Sequence, residues 1–347
     1  MAATFATQFV PRWLARVADT DRGGMAESLD MRGRPKMDEP RTSLAQARCA
    51  FALAHLYLKT GDTRLCDGAI HAWQFLETHL RDGDGGYRAS TMPSAEGRAR
   101  RSYDQSFVLL ALVTISKAAP GLVPPDRVPA LWDFIETLTE PATGALWEHD
   151  GMANAGAGAG DKRGQNPQMH MLEATLQAAE LTGDPCWLAR AERYVALAPS
   201  YLIDPVTGAL REWVGADLKP LCGPEGGRRE PGHQFEWAWL LHRFADLGGD
   251  PGVRDLAERM VVFAETHGLS STGDGRRACR CARRGWHCHR AHPLALARHR
   301  GREILCLAAP CAARQSRGGG RPPPRAGRVL TLFRVREPAR LAQSTGC

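Results

Sequence analysis

Tyr103-Asp104-Gln105-Ser106-Phe107-Val108-Leu109-Leu110-Ala111-Leu112-Val113 is the stretch of this 347-residue chain whose reading decides the fold. From Phe107 to Val113 no position is polar, so a helix here has no face for water and is buried on every side. The run is far shorter than the roughly 20 apolar residues that cross a bilayer. Other stretches, such as Asp255-Leu256-Ala257-Glu258-Arg259-Met260-Val261-Val262, place apolar residues at helical spacing and leave one wet face. Buried helices wrapped by amphipathic ones are the two layers of an α/α toroid.

The pairing recurs along the chain. Glycine turns followed by strand-like residues appear at Gly23-Gly24-Met25-Ala26-Glu27, Gly85-Gly86-Tyr87-Arg88, Thr143-Gly144-Ala145-Leu146-Trp147-Glu148 and Thr207-Gly208-Ala209-Leu210-Arg211-Glu212-Trp213. The steps from Gly24 to Gly86, Gly144 and Gly208 are 62, 58 and 64 residues, and Thr272-Gly273-Asp274-Gly275 falls where a fifth turn is due. Between turns the pattern predicts helix pairs over 43–58 and 63–80, 103–117 and 125–138, 168–181 and 185–198, and 233–247 and 251–267. Thr60-Gly61-Asp62 and Thr182-Gly183-Asp184 supply a glycine to end one helix and an aspartate to cap the next. Strand patterns never exceed a few residues, which excludes sheet folds. The expected fold class is all-α, an (α/α)6 toroid of helical hairpins, over residues 1–275 and incomplete at its C-terminal end.

The net charge of +7 is unevenly spread. Residues 276–347 hold 17 Arg against Glu303 and Glu337, a net +15, so the other 275 residues carry −8. Six of the ten cysteines also lie in this tail. Cys279, Cys281, His287, Cys288, His289 and His292 fit no usual zinc-finger spacing, and a basic nucleic-acid arm is the other ready reading. The abrupt change of composition inside a repeat favours a third: an out-of-frame translation of a GC-rich gene, which an intact frame through 347 in the source DNA would overturn. No nucleic-acid partner is therefore expected. Cys49, Cys66, Cys186 and Cys222 are scattered and read as reduced thiols. Met1–Thr20 reads as an amphipathic helix around Phe9, Trp13 and Val17 rather than a signal peptide. A cytoplasmic protein without membrane partners is expected, with a homodimer left open.

Residues with chemical reach gather at the starts of the buried helices: Arg48; Tyr103 and Asp104; Asn166, His170 and Glu173; His233 and Glu236. Equivalent positions in a toroid converge on one mouth. His170 with Glu173, and His233 with Glu236, are each spaced i, i+3, which puts both side chains on one helix face; the two pairs read as copies of one arrangement. Histidine beside carboxylate suits proton transfer near neutral pH. Simpler readings exist: His170 as a core histidine, Arg48 in a structural ion pair, Trp237 and Trp239 in barrel packing. A metal centre is not expected, since the di-iron bundle motif runs Glu-x-x-His and no third ligand set stands out.

Gln46-Ala47-Arg48, Tyr103–Ala111, Asn166-Pro167-Gln168-Met169-His170-Met171-Leu172-Glu173-Ala174 and Glu230-Pro231-Gly232-His233-Gln234-Phe235-Glu236-Trp237-Ala238-Trp239-Leu240-Leu241 resemble the N-acylglucosamine 2-epimerase family over roughly residues 10–270. That family includes aldose–ketose isomerases such as mannose isomerase and 2-epimerases such as cellobiose 2-epimerase. The resemblance implies an (α/α)6 barrel that binds a free monosaccharide, such as mannose or an N-acylglucosamine. It implies removal of the C2 proton through a cis-enediolate, with no metal or nicotinamide. His233 would be a general acid/base with Glu236 as its neighbouring carboxylate. His170 would assist ring opening or orient the sugar, Arg48 would hold the enediolate oxygens, and Tyr103, Asn166 and Glu173 would contact the sugar, with Asp104 grouped beside them.

The family also implies a fifth and a sixth hairpin and a second essential histidine near the C-terminus, which the sequence after Gly275 does not show. Weak or absent activity and low solubility are therefore expected of this polypeptide. A toroidal glycoside hydrolase or lyase working with paired carboxylates and a non-catalytic sugar-binding protein remain as alternatives.

Overall fold

A computed structural model describes residues 4–272 and 275–278, with side chains through 268. The tail read above as out of frame, with its cysteines and histidines, lies outside the described residues from 279 onward. After a π-helical turn Phe5–Phe9, the helices are α1 (Val10–Val17), α2 (Ser43–Thr60), α3 (Thr63–Phe75), α4 (Ser102–Ala118), α5 (Arg127–Thr137), α6 (Gln165–Thr182), α7 (Pro185–Leu197), α8 (Pro231–Asp246) and α9 (Val253–Gly268). Short helices at Ala95–Arg98, Asp150–Ala155 and Gly223–Gly226 sit in the connections. Inner helices α2, α4, α6 and α8 pack in sequence, each against the next, and each is backed by its outer partner α3, α5, α7 or α9. These are four consecutive hairpins of an α/α toroid. None of the described helices is long and apolar enough to cross a membrane.

The apolar run that opened the reading is the second inner helix. On α4 every residue from Asp104 to Ile115 is buried, whereas its outer partner α5 buries only Leu131, Trp132, Phe134 and Ile135. Helix ends follow the expected chemistry. Gly61 and Gly183 close α2 and α6 in the left-handed conformation, at φ 72° and 70°. Asp62 and Asp184 then cap α3 and α7 by accepting from the amides of Arg64 and Cys186. Two inner helices start earlier than the spacing predicts, at Gln165 and Pro231. The reason is proline: Pro167 and Pro231 fall in the first turn, where the missing N–H is not needed.

Each glycine turn is closed by a single antiparallel bridge, at Ala18 with Met25, Arg81 with Tyr87, Thr139 with Leu146, and Ile203 with Leu210. Strands β1 (Lys162–Gly164) and β2 (Trp213–Gly215) pair across two successive connections. Strands β3 (Leu269–Thr272) and β4 (Gly275–Ala278) pair on either side of the expected fifth turn.

A buried glutamine fixes each of the first four turns to the inner helix that follows it. Four residues after the N-caps Thr42, Arg101, Gly164 and Glu230 stand Gln46, Gln105, Gln168 and Gln234. Gln46 Oε1 accepts from the Met25 amide at 2.7 Å while its Nε2 donates to the Met25 carbonyl at 2.8 Å. Gln105 grips Tyr87 in the same way at 2.9 and 2.8 Å. Gln168 grips Leu146 at 3.1 and 3.0 Å, and Gln234 grips Leu210 at 2.8 and 3.1 Å. Each primary amide thus serves as a one-residue β-strand for a loop that would otherwise bury two unpaired backbone groups. The fit is tight: a Cβ on Gly24, itself at φ 71°, would stand 2.8 Å from Gln46 Oε1 and 2.7 Å from the Phe75 ring.

A second fastening lies two residues beyond each gripped position. The glutamates Glu27, Glu148 and Glu212 accept from the N-cap amides Thr42 at 2.8 Å, Gly164 at 2.6 Å and Glu230 at 3.1 Å. In the second repeat the place is held by Ala89, which has no carboxylate. The backbone carbonyls of Ala89, Glu148 and Glu212 accept from Ser43, Ser102 and Gln165, the first residues of the preceding inner helices. Glu148 and Glu212 therefore tie two neighbouring helix starts together and use up N–H groups that a helix terminus leaves without intrahelical partners.

Candidate active site

The inner helices start on one rim, so equivalent positions form layers across the toroid. Six residues after each N-cap stand Arg48, Phe107, His170 and Glu236. The Arg48 guanidinium lies 4.6 Å over the Phe107 ring, and the Phe107 and His170 ring centroids are 4.6 Å apart. His170 Nδ1 is 3.9 Å from Glu236 Oε1, and the charge of Arg48 acts back on Glu236. These four residues, one from each inner helix, form a single layer. Tyr103 stands above it with its ring edge-on to His170 at 5.2 Å. Asn166, also near the helix starts, accepts from Gln165 Nε2 at 2.9 Å.

The first histidine–carboxylate pair forms as its spacing predicts: His170 Nδ1 and Glu173 Oε2 are 3.0 Å apart. The second does not. His233 Nδ1 pairs with Glu212 Oε2 at 2.7 Å, and Glu230 Oε2 stands behind at 3.8 Å. Glu236 is turned instead toward His170. The two pairs are therefore not copies of one arrangement. Counted from the N-caps, Glu236 corresponds to His170, whereas His233 lies nearly a turn closer to the rim, at the level of Asp104. Glu236, expected as the carboxylate neighbouring His233, faces His170 instead, and its charge still bears on the His233 ring.

Titration differs sharply between these groups. Burial alone would depress the His233 imidazole, but the Glu212 hydrogen bond and charge, then Glu230 and Glu236, push it up to about 9. It is a cation at neutral pH. For Glu173, burial works upward, yet the hydrogen bond and charge of His170, with Arg243 and Arg48 behind, hold it below the usual carboxylate range. Glu236 is raised: burial outweighs the pull of His170, and the neighbouring Glu173 adds to it. One carboxylate of this pair ionises readily and the other reluctantly, the usual result of packing two acids around one partner.

Asp104 is placed differently from the other expected site residues. It is completely covered, and Oδ2 accepts from Arg101 Nε at 2.7 Å, while Oδ1 has no hydrogen-bond partner in the protein. Burial, opposed by Arg101 and aided by Glu27, pushes it up to about 6. A folded pKa above the unfolded value means that the fold favours the protonated acid. The penalty is absent below about pH 4 and complete above pH 6. Asp104→Asn is therefore expected to gain on the native chain by about 2 kcal/mol as pH rises from 4 to 7. Paired denaturation curves at the two pH values check this, and a pH-independent difference would remove the strain.

Among the described residues two trios bring donor atoms within 4.8 Å of one another: His170, Glu173 and Glu236, and Glu212, Glu230 and His233. In both, the histidine Nδ1 already faces a carboxylate at hydrogen-bond distance. We read both as ion pairs suited to moving protons.

Sequence reasoning missed Glu212, Glu230 and Phe107 as parts of the site. Glu212 carried a usable signal, because Glu27, Glu148 and Glu212 each follow a repeated turn glycine, Gly24, Gly144 or Gly208, by three or four residues. Trp237 proves structural, as its simpler reading held: it is fully buried and donates to Gln165 Oε1 at 2.7 Å.

The N-acylglucosamine 2-epimerase (GlcNAc 2-epimerase) family model matches residues 23–287, and the chain belongs to that family. A mannose-6-phosphate isomerase of Rhizobium meliloti strain 1021 is 30% identical over 273 residues, covering 76% of this chain and 68% of its own. A D-mannose isomerase of Thermobifida fusca is 29% identical over 284 residues, covering 75% of this chain and 66% of its own. The cellobiose 2-epimerase of Bacillus thermoamylovorans superposes with TM-score 0.70 at 16% identity, over 88% of this chain and 78% of its own, which shows the shared toroidal fold. Glycoside hydrolases of similar shape superpose less closely. The family and its members make this chain an isomerase of sugars, of the aldose–ketose isomerase or 2-epimerase kind.

Proposed function

We propose that the protein is an aldose–ketose isomerase acting on free D-mannose or a close relative. The observation that carries this reading is His233, paired with Glu212, at the start of a helix whose next turn brings Glu236 to the layer of Arg48 and His170. A base removes the C2 proton of the open-chain sugar, the electron pair forms the C1–C2 double bond, and negative charge gathers on O1 beside Arg48. His233, protonated at neutral pH, returns a proton to carbon. Protonation at C1, with the O2 proton passing to O1, gives the ketose; protonation at C2 from the other face, with the charge on O1 returning to a carbonyl, gives the 2-epimer. His170, held by Glu173, assists ring opening, and Tyr103 and Asn166 contact hydroxyls at the rim. Fixed charge aimed where charge develops is the main source of acceleration in such a site.

The charge around the site favours an uncharged sugar. Glu173, Glu212, Glu230 and Glu236 crowd the two histidines, and a phosphate monoester carrying about −2 would be repelled by them. D-Mannose in heavy water is therefore expected to gain deuterium at C2 and form ketose, with D-mannose 6-phosphate a much poorer substrate. The partner histidine expected from the family would lie outside the described residues, so a chain with its reading frame restored after 275 is assayed alongside and is expected to be the faster. Cleavage of aryl glycosides without exchange at C2 would replace this reading with the hydrolase one. A cytoplasmic location and a homodimer belong to the same reading, and light scattering checks the second.

A further inference from the structure

Glu212 occupies a place in the repeat that Glu27 and Glu148 also occupy, yet it does more than they do. All three bond the N-cap amide of an inner helix. In the fourth hairpin alone, among those described, a histidine stands three residues after that N-cap; the counterparts are Ala45, Asp104 and Pro167. The repeat compensates for this. Where the N-cap+3 place holds the acid Asp104, the turn holds Ala89, so two carboxylates are not set against each other; where it holds His233, the turn keeps its glutamate.

Glu212 is 5% exposed, and both oxygens are committed. Oε1 accepts from the Glu230 amide at 3.1 Å, and Oε2 faces His233 Nδ1 at 2.7 Å and Gln165 Nε2 at 3.4 Å. Its carbonyl accepts from the Gln165 amide at 3.1 Å, and Gln165 Oε1 is in turn held by Trp237. The carboxylate is thus held by the Glu230 amide and the Gln165 side chain before it meets the imidazole.

We propose that Glu212 is the positioning residue of the proton-transfer site: it fixes the ring plane of His233 and keeps Nδ1 protonated in both charge states, so that Nε2 is the nitrogen that exchanges its proton with the sugar. The catalytic part of this inference rests on the isomerase reading; the tautomer and titration of His233 do not. The ionisable groups facing that imidazole are Glu212 from the loop, Glu230 from the N-cap and Glu236 from its own helix. Of these, only Glu212 is within hydrogen-bond distance, so it decides which nitrogen keeps its proton when the imidazolium gives one up.

Glu212→Gln tests this with the full chain. A single amide oxygen cannot serve both the Glu230 amide and His233 Nδ1–H, so one fastening is lost while size is kept. Glu148→Gln is the matched control, with the same backbone role and no histidine. Imidazole ¹⁵N shifts of His233 are followed over pH, beside thermal unfolding and the kcat and KM of C2 exchange. In Glu212→Gln the His233 midpoint is expected to fall by about one unit or more, with the Nε2–H form appearing. The same variant is expected to lose roughly tenfold or more in kcat with a smaller change in KM. Glu212→Asp, which keeps the charge, is expected to recover most of the titration shift. Glu148→Gln is expected to move unfolding alone. An unchanged His233 titration in Glu212→Gln, or equal changes in both glutamine variants, overturns the proposal. Absence of C2 exchange in the native chain would instead count against the isomerase reading, and the ¹⁵N comparison would still decide the role of Glu212.

Discussion

His233→Ala is expected to lose the exchange of the sugar C2 proton with heavy water by roughly 10²- to 10⁴-fold, the range that one positioned acid or base contributes. The expectation follows from place and charge together. His233 sits at the first turn of α8 with Nδ1 tied to Glu212, and it is a cation at neutral pH because the surrounding carboxylates push it up to about 9. His242→Ala is the control. That residue lies on the same helix but faces Glu258 of the outer layer at 3.7 Å, and its loss is expected to leave exchange unchanged. The comparison is made in one background, native or frame-restored, so that the tail does not enter the ratio. Exchange retained in His233→Ala would remove this residue from the chemistry.

The second large effect concerns folding. Gln168→Leu is expected to destabilise the toroid by roughly 3–5 kcal/mol, since it leaves a buried amide and a buried carbonyl unpaired, at about 1–3 kcal/mol each, and adds a misfit of shape. Gln168 is 2% exposed, and both its hydrogen bonds go to Leu146, in the turn before its own helix. A typical domain is stable by only about 5–15 kcal/mol, so this one substitution should remove a large part of the margin. The midpoint of urea unfolding measures it. A loss below 1 kcal/mol would mean that the loop finds other partners. Gln105→Leu should behave alike, because its grip on Tyr87 has the same form.

The fold was legible because burial leaves a direct trace in composition. A helix such as α4, apolar on every side, has one place in a two-layer structure. The repeated Thr-Gly-Asp breaks marked the ends of α2 and α6 because left-handed glycines and aspartate caps are chemical necessities there. The starts of α6 and α8 were harder, since Pro167 and Pro231 break a helix in its middle and begin one at its edge.

The site was half legible for a related reason. His170 with Glu173 is a local pair and could be read from spacing. His233 with Glu212 joins residues 21 apart through a turn, and no helical period points across it. The same holds for the glutamines. On an apolar helix Gln168 reads as an interruption until its partner, 22 residues away, is in view. The register error had one source as well. Aligning the helices on their histidines made His233 the counterpart of His170, whereas aligning them on Gln168 and Gln234 makes Glu236 the counterpart.

The glutamate staples have a consequence for how such a protein can change over time. Glu148 and Glu212 hold successive inner helices by their first amides, so the helix starts stay in place whatever the intervening loop does. The segments 150–161 and 216–229 leave and return between points that are already fastened. They can lengthen, shorten or be replaced without shifting Arg48, His170, His233 or Glu236. Selection is thus free to rewrite the rim loops while the residues proposed to move the proton are inherited unchanged.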